Sequence, residues 1–180
     1  MKKILFITFI CALLGACQVN ELTEQRDIDE IYARIECDVE TKTSMDANNN
    51  IRWSEGDQVV AFLKSSLGLK YQIESNYVGK TSGRFSKISS VSSDDLYAGF
   101  EMDHNVVYYP YSDKVYIEKS GENYALNIVL PTEQTYSEGS FGNGSMPMLA
   151  VSEGDDIVFK NVCGGMKLKF KGNKNIASIK

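Results

Sequence analysis

The chain is poor in histidine, proline and positive charge. Its 180 residues hold one His and three Pro, and 19 Lys plus Arg stand against 24 Asp plus Glu. One imidazole, His104, leaves no ligand set at metal spacing and only one base for a Ser-His-acid arrangement. It sits in Asp103-His104-Asn105, and no glycine-flanked nucleophile elbow occurs anywhere, so it reads as a loop residue rather than a catalytic one. The formal charge of −5 argues against nucleic acid as a partner. Few prolines beside ten tyrosines suit sheet more than linker. No apolar run reaches the about 20 residues of a spanning helix, and no internal repeat or low-complexity tract is present.

The first residues have the form of an export signal. Lys2 and Lys3 precede a short apolar run over residues 4–14, which ends in Leu14-Gly15-Ala16-Cys17. Small residues immediately before a cysteine resemble the bacterial lipobox, with cleavage between Ala16 and Cys17 and lipid attachment at the Cys17 thiol. A diacyl unit plus an amino-terminal acyl chain would anchor the protein stably, since each buried methylene contributes about 0.8 kcal/mol. Residues 1–16 are thus expected to be a signal peptide, and Cys11 leaves with them. Loss of Lys2 and Lys3 takes the formal charge from −5 to −7. Residues 17–30 are acidic and poor in large apolar side chains, and are expected to be a flexible tether without a packed role.

Beyond the tether the pattern is that of strands. Ile31, Ala33, Ile35, Cys37 and Val39 alternate with polar residues, which is the two-residue period of a strand with one buried face. The run Asp46-Ala47-Asn48-Asn49-Asn50 is a turn leading into Ile51-Arg52-Trp53, and Ser54-Glu55-Gly56-Asp57 is a second tight turn. Residues 58–64 are apolar on both faces, as in the middle of a sandwich. Further strands are expected at 69–77, 81–85, 106–111, 115–119, 124–130, 148–152, 156–162 and 166–170, with a helical turn conceivable only within 92–100. Short segments at this spacing predict an all-β antiparallel sandwich or barrel. Its domain is expected over 31–175, and residues 176–180 look like the start of a continuation.

The remaining constellations are weak as chemistry. Asp46, Asn48, Asn50 and Asp57 partly mimic a calcium loop, but Ile51 stands where the bend needs glycine and the flanks are strands, so no metal is expected. Asp94-Asp95 and Asp155-Asp156 read as solvated turn carboxylates. The glycine-rich 139–144 lacks the lysine and the helix of a phosphate loop. Cys37 and Cys163 are the cysteines of the folded part; they are read as small buried thiols, with a disulfide as the alternative in an oxidising compartment. Tyr108-Tyr109-Pro110-Tyr111 is read as core and corner packing, with an exposed sugar-stacking platform as the alternative. No cofactor and no catalytic site are expected.

Several segments in order resemble the fimbrillin family, the lipoprotein pilus subunits and related surface proteins of anaerobic bacteria. They are Thr41-Lys42-Thr43-Ser44, Ile51-Arg52-Trp53-Ser54-Glu55-Gly56-Asp57, Tyr108-Tyr109-Pro110-Tyr111, Leu130-Pro131-Thr132-Glu133-Gln134, residues 145–150, and Phe159-Lys160-Asn161-Val162-Cys163-Gly164-Gly165. The resemblance covers about residues 41–172. It implies a transthyretin-like, Greek-key β-sandwich, usually the first of two, in an outer-membrane or fimbrial lipoprotein. In pilus-forming members an arginine-specific protease removes the leader and first strand, and a neighbouring subunit's donor strand fills the groove. Arg26, Arg34 and Arg52 are the residues at which such a cut is conceivable here. Expected partners are the membrane through the lipid, other subunits by strand exchange, and host or glycan ligands; a monomeric glycan- or protein-binding lipoprotein is the alternative.

Overall fold

Alternation of buried and exposed side chains sets the strands. In the computed structural model, which describes residues 28–36, 51–89, 99–130, 132–134, 142, 144–163 and 171–172, nine strands form. They are β1 (Glu30–Ile35), β2 (Gln58–Ser65), β3 (Gly68–Ile73), β4 (Ser82–Lys87), β5 (Glu101–Tyr109), β6 (Tyr116–Ser120), β7 (Asn123–Asn127), β8 (Met148–Ser152) and β9 (Ile157–Asn161). No α-helix occurs among the described residues, so the all-β expectation holds.

Seven strands close into one hydrogen-bonded ring in the order β1-β4-β3-β2-β5-β8-β9, while β6 and β7 make a separate two-stranded ribbon. Most neighbours are antiparallel. The exception is the pair that closes the ring: β1 runs parallel to β9, with Ala33 opposite Ile157 and Ile35 opposite Phe159. Sequence alternation cannot reveal this, because it reports which face a residue occupies and not the direction of the strand beside it.

One face of every ring strand feeds a single core containing Ile31, Ala33, Ile35, Val59, Ala61, Leu69, Tyr71, Phe85, Val107, Met148, Ile157 and Phe159. Trp53 lies at its centre, edge-on to Phe85, Tyr109 and Phe159 with ring centroids 4.9, 5.7 and 5.5 Å away. Such aromatic pairs contribute about 0.5–1.5 kcal/mol each beyond the area they bury. The opposite faces of β2 and β5 are covered too. Val60, Phe62 and Tyr108 pack with Val115 and Ile117 under the β6–β7 ribbon. This second layer explains why residues 58–64 are apolar on both faces.

Two glycines are required by close packing. Gly68 faces Phe62 across β2–β3, and a Cβ there would stand 2.8 Å from both the Phe62 ring and Val60. Gly83 faces Ala33 across β1–β4, and its Cβ would overlap Ile73 Cδ1 and come within 3.1 Å of Tyr77 Cβ.

Some boundaries differ from expectation. The strand expected over 69–77 ends at Ile73, and Ser75–Tyr77 forms a turn of 3-10 helix; Tyr77 N–H donates to Glu74 O and Glu74 N–H to Arg84 O. The short strand around Trp53 reduces to an isolated bridge at Ile51, with Trp53 held by backbone hydrogen bonds to Lys80 and Gly79. β5 begins five residues before the expected 106, because Glu101, Asp103 and His104 face solvent and hide the strand behind polar composition. The packed part already includes the end of the expected tether: Ile28 lies against the core and its carbonyl accepts from the Tyr71 hydroxyl. The rest of residues 1–27, the turn 46–50, the stretch 92–98 and the strand expected at 166–170 lie outside the described residues, as do residues 173–180.

Candidate functional site: the β1 seam and the Asp57 depression

β1 is the strand on which assembly would turn, and it is paired along both edges. On one side it runs antiparallel to β4 from Glu30 opposite Ser86 to Arg34 opposite Ser82; on the other it meets β9 over three positions. Two backbone bonds extend the seam, from Ile35 N–H to Thr81 O and from Glu36 N–H to Phe159 O. Its inward side chains, Ile31, Ala33 and Ile35, are 6%, 0% and 5% exposed. Ion pairs line its outer face: Arg34 with Asp156 at 3.3 Å, Glu30 with Arg84 at 3.2 Å and Glu36 with Lys160 at 3.0 Å. All are substantially exposed, so they contribute little beside the burial and the two ladders. Removing β1 from the intact ring would uncover the facing edges of β4 and β9 and an apolar slot between them.

The three arginines fare differently. Arg34 lies within β1, next to its last residue, where a protease could take up the chain only after the seam opened. Arg52 lies between Ile51 and Trp53, each 1% exposed, and its guanidinium donates to Gly79 O at 2.7 Å. Arg26 precedes the described residues. A cut at Arg26 would leave β1 in the chain, since the strand starts at Glu30.

The second feature is a shallow depression of about 170 Å³ lined by Gly56, Asp57, Gln58, Tyr109, Pro110, Tyr111 and Gly144. It falls short of the about 300 Å³ at which small-molecule pockets begin. Its carboxylate is built in rather than offered. Asp57 is 3% exposed; one oxygen accepts Ser54 N–H at 2.7 Å and the other accepts the Tyr109 hydroxyl at 3.0 Å. Backbone bonds from Asp57 N–H to Ser54 O and from Ile73 N–H to Asp57 O fix the same turn, in which Gly56 takes φ 80°. Burial raises the Asp57 pKa above its ordinary value, against the opposing effect of its two hydrogen-bond donors. Burial and the adjacent carboxylate raise that of Tyr109 strongly. The unit ties the turn before β2 to the end of β5, which is a packing role. The sequence marked Ser54-Glu55-Gly56-Asp57 as a turn, but nothing in it signalled that Asp57 points inward to a tyrosine 52 residues away.

The tyrosine cluster is mostly inside. Tyr108 and Tyr109 are 1% and 2% exposed, and they point to opposite layers. Tyr111 is half-buried against the second layer with the Lys70 ammonium 4.3 Å from its ring centre. No row of presented rings results from 108–111. His104 is exposed, 3.6 Å from Glu153 in a surface pair. Asp155 and Asp156 are exposed turn residues, as expected; Asp94 and Asp95 lie outside the described residues, as do Asp46, Asn48 and Asn50. Among the described residues no group of three or more His, Cys, Asp or Glu is placed to hold a metal ion. Cys163 is a free, half-buried thiol, whereas Cys37, Ala16 and Cys17 lie outside the described residues. The Tyr108 hydroxyl is buried without a hydrogen-bond partner among the described residues; burial, and secondarily the neighbouring Cys163, raise its pKa.

No family model, no curated protein and no solved structure matches the chain.

Proposed function

We propose that the protein is an exported lipoprotein, fimbrillin-like, that serves as a structural or adhesive component of the cell surface or of a fimbrium, anchored in the outer membrane through Cys17 and without catalytic activity. The observation that carries this reading is the position of β1. The strand nearest the acylated end of the chain is also the one whose removal would open the ring along a ready-made apolar slot. Two edges, β4 and β9, would then offer backbone groups to a strand from another subunit, by β-augmentation. The order β1-β4-β3-β2 supports a Greek-key, transthyretin-like arrangement, because three hairpin-connected strands are joined by a long connection to a strand lying beside the last of them. Burial of Tyr108 and Tyr109 weakens the competing reading of a monomeric glycan-binding module, which needs rings on display.

The test is treatment of the full-length precursor with an arginine-specific protease, followed by electrophoresis and electron microscopy. Detergent-resistant ladders or fibres are the expected result. A stable monomer that has lost β1 through a cut at Arg34 and never assembles would overturn strand exchange. Replacing Cys17 by Ser tests the anchor separately: incorporation of labelled fatty acid should vanish and the protein should leave the membrane fraction. Unchanged labelling would place the lipid elsewhere.

A further inference from the structure

The β6–β7 ribbon joins no ladder of the ring, so the outer edges of both its strands are unpaired among the described residues. Unpaired edges are ordinarily blunted by charge, proline or a bulge. β6 follows that rule, with Glu118 and Lys119 at its middle. β7 does not. Asn123-Tyr124-Ala125-Leu126-Asn127 carries no charge, and Ile128-Val129-Leu130 prolongs the neutral run in a chain whose net charge is −5. Asn123, Tyr124 and Ala125 are exposed, and Val129 and Leu130 are each 48% exposed.

We propose that the outer edge of β7 is a self-association site, at which a second copy of this chain adds its own β7 antiparallel about a twofold axis centred on Ala125. Such an interface is isologous, so each edge must suit itself. With Ala125 facing Ala125 of the partner subunit, Tyr124 meets Leu126 of the partner subunit, and Asn123 meets Asn127 of the partner subunit. An aromatic ring thus meets an aliphatic side chain and amide meets amide, both favourable cross-strand pairs. No like charges are brought together, although each copy is acidic overall. The same operation on β6, centred on Glu118, would set that carboxylate against its own copy, which disfavours it. A marginal two-stranded ribbon becomes a four-stranded sheet of order β6-β7-β7-β6. The site is independent of any exchange of β1, because β7 takes no part in the ring.

The full chain in detergent would be compared by sedimentation velocity with Ala125→Lys and, in case that variant misfolds, with Asn123→Lys. Thermal melts would verify the fold of each. The native chain should show a concentration-dependent dimer, and Ala125→Lys should weaken it by at least about tenfold, since two ammonium groups are then opposed across the axis; Asn123→Lys should weaken it through loss of the amide pair with Asn127 of the partner subunit. In parallel, Ala125→Cys should give a reducible dimer on oxidation that the native chain does not, because paired Cα atoms about 4.5–5.5 Å apart lie within disulfide range. A chain that stays monomeric throughout overturns the proposal. So does a dimer that neither lysine weakens, or one that Ala125→Cys fails to cross-link above the native background.

Discussion

Deleting residues 1–36 removes β1 and tests how much of the domain rests on its first strand. Ile31 and Ile35 are almost wholly buried, so each contributes about 1.5–3 kcal/mol relative to exposure. Together they account for about 3–6 kcal/mol, before Ala33 or any of the ladder bonds to β4 and β9 is counted. A domain of this size has a net stability of about 5–15 kcal/mol. The truncated chain therefore sits at or past the limit of folding. A synthetic peptide of residues 28–36, added in trans, restores Ile31, Ala33 and Ile35 together with both ladders. The assay is urea denaturation followed by Trp53 fluorescence. The truncated chain alone is expected to show no cooperative transition or a much lowered midpoint, and the peptide to recover it with saturation. A peptide carrying Ala33→Asp should fail, because a carboxylate at a 0% exposed position is buried unpaired. A truncated chain that unfolds at the native midpoint and ignores the peptide would show that β1 is ornamental and that the reasoning is wrong.

Gly83→Ala should lower stability by about 1–3 kcal/mol through overpacking against Ile73 and Tyr77. Adding Ile73→Val removes the overlapped Cδ1 and should recover part of that loss in a double-mutant cycle measured in urea; strictly additive effects would contradict the close approach. Asp57 has a folded pKa raised above 3.8, so the folded state holds its proton more tightly than the unfolded one. Its contribution is fully present below 3.8 and is lost as pH rises through the folded pKa. Relative to Asp57→Asn, the native chain should accordingly lose stability as pH rises above 3.8, and the opposite slope in paired urea titrations would refute the buried, charge-disfavouring environment. Trp53 is 1% exposed among three rings, so its native emission should be blue-shifted and move red on unfolding. A water-like native spectrum would remove it from the core.

Most of this architecture could be read from alternation, because burial on one face of a strand imposes a period of two whatever the partner. Ile31, Ala33 and Ile35 of β1 were legible for that reason; residues 58–64 were legible instead as an unbroken apolar run, within a residue at each end, and 148–152 as a short segment bounded by turns, matching β8. Charged outward side chains hid the first half of β5, and local turn chemistry at Ser75-Asn76 cut short the strand expected to reach Tyr77. The Asp57–Tyr109 hydrogen bond and the parallel β1–β9 pair were invisible because each joins residues far apart in sequence. Neither has a local signature, and the β1–β9 seam is the part of the molecule on which the functional proposal rests.

The parallel seam has a mechanical consequence. β9 begins at Ile157 opposite Ala33 and runs in the same direction as β1, so the upstream end of the first strand, at Glu30, and the downstream end of the last described strand lie at opposite ends of one ladder. A pull applied between those two points drags the strands past each other and strains the slanted hydrogen bonds between them simultaneously. An antiparallel pair pulled at the same two points would peel apart one bond at a time. A subunit tethered upstream of β1 and loaded beyond β9 would resist tension in shear, the geometry in which a short ladder is hardest to rupture.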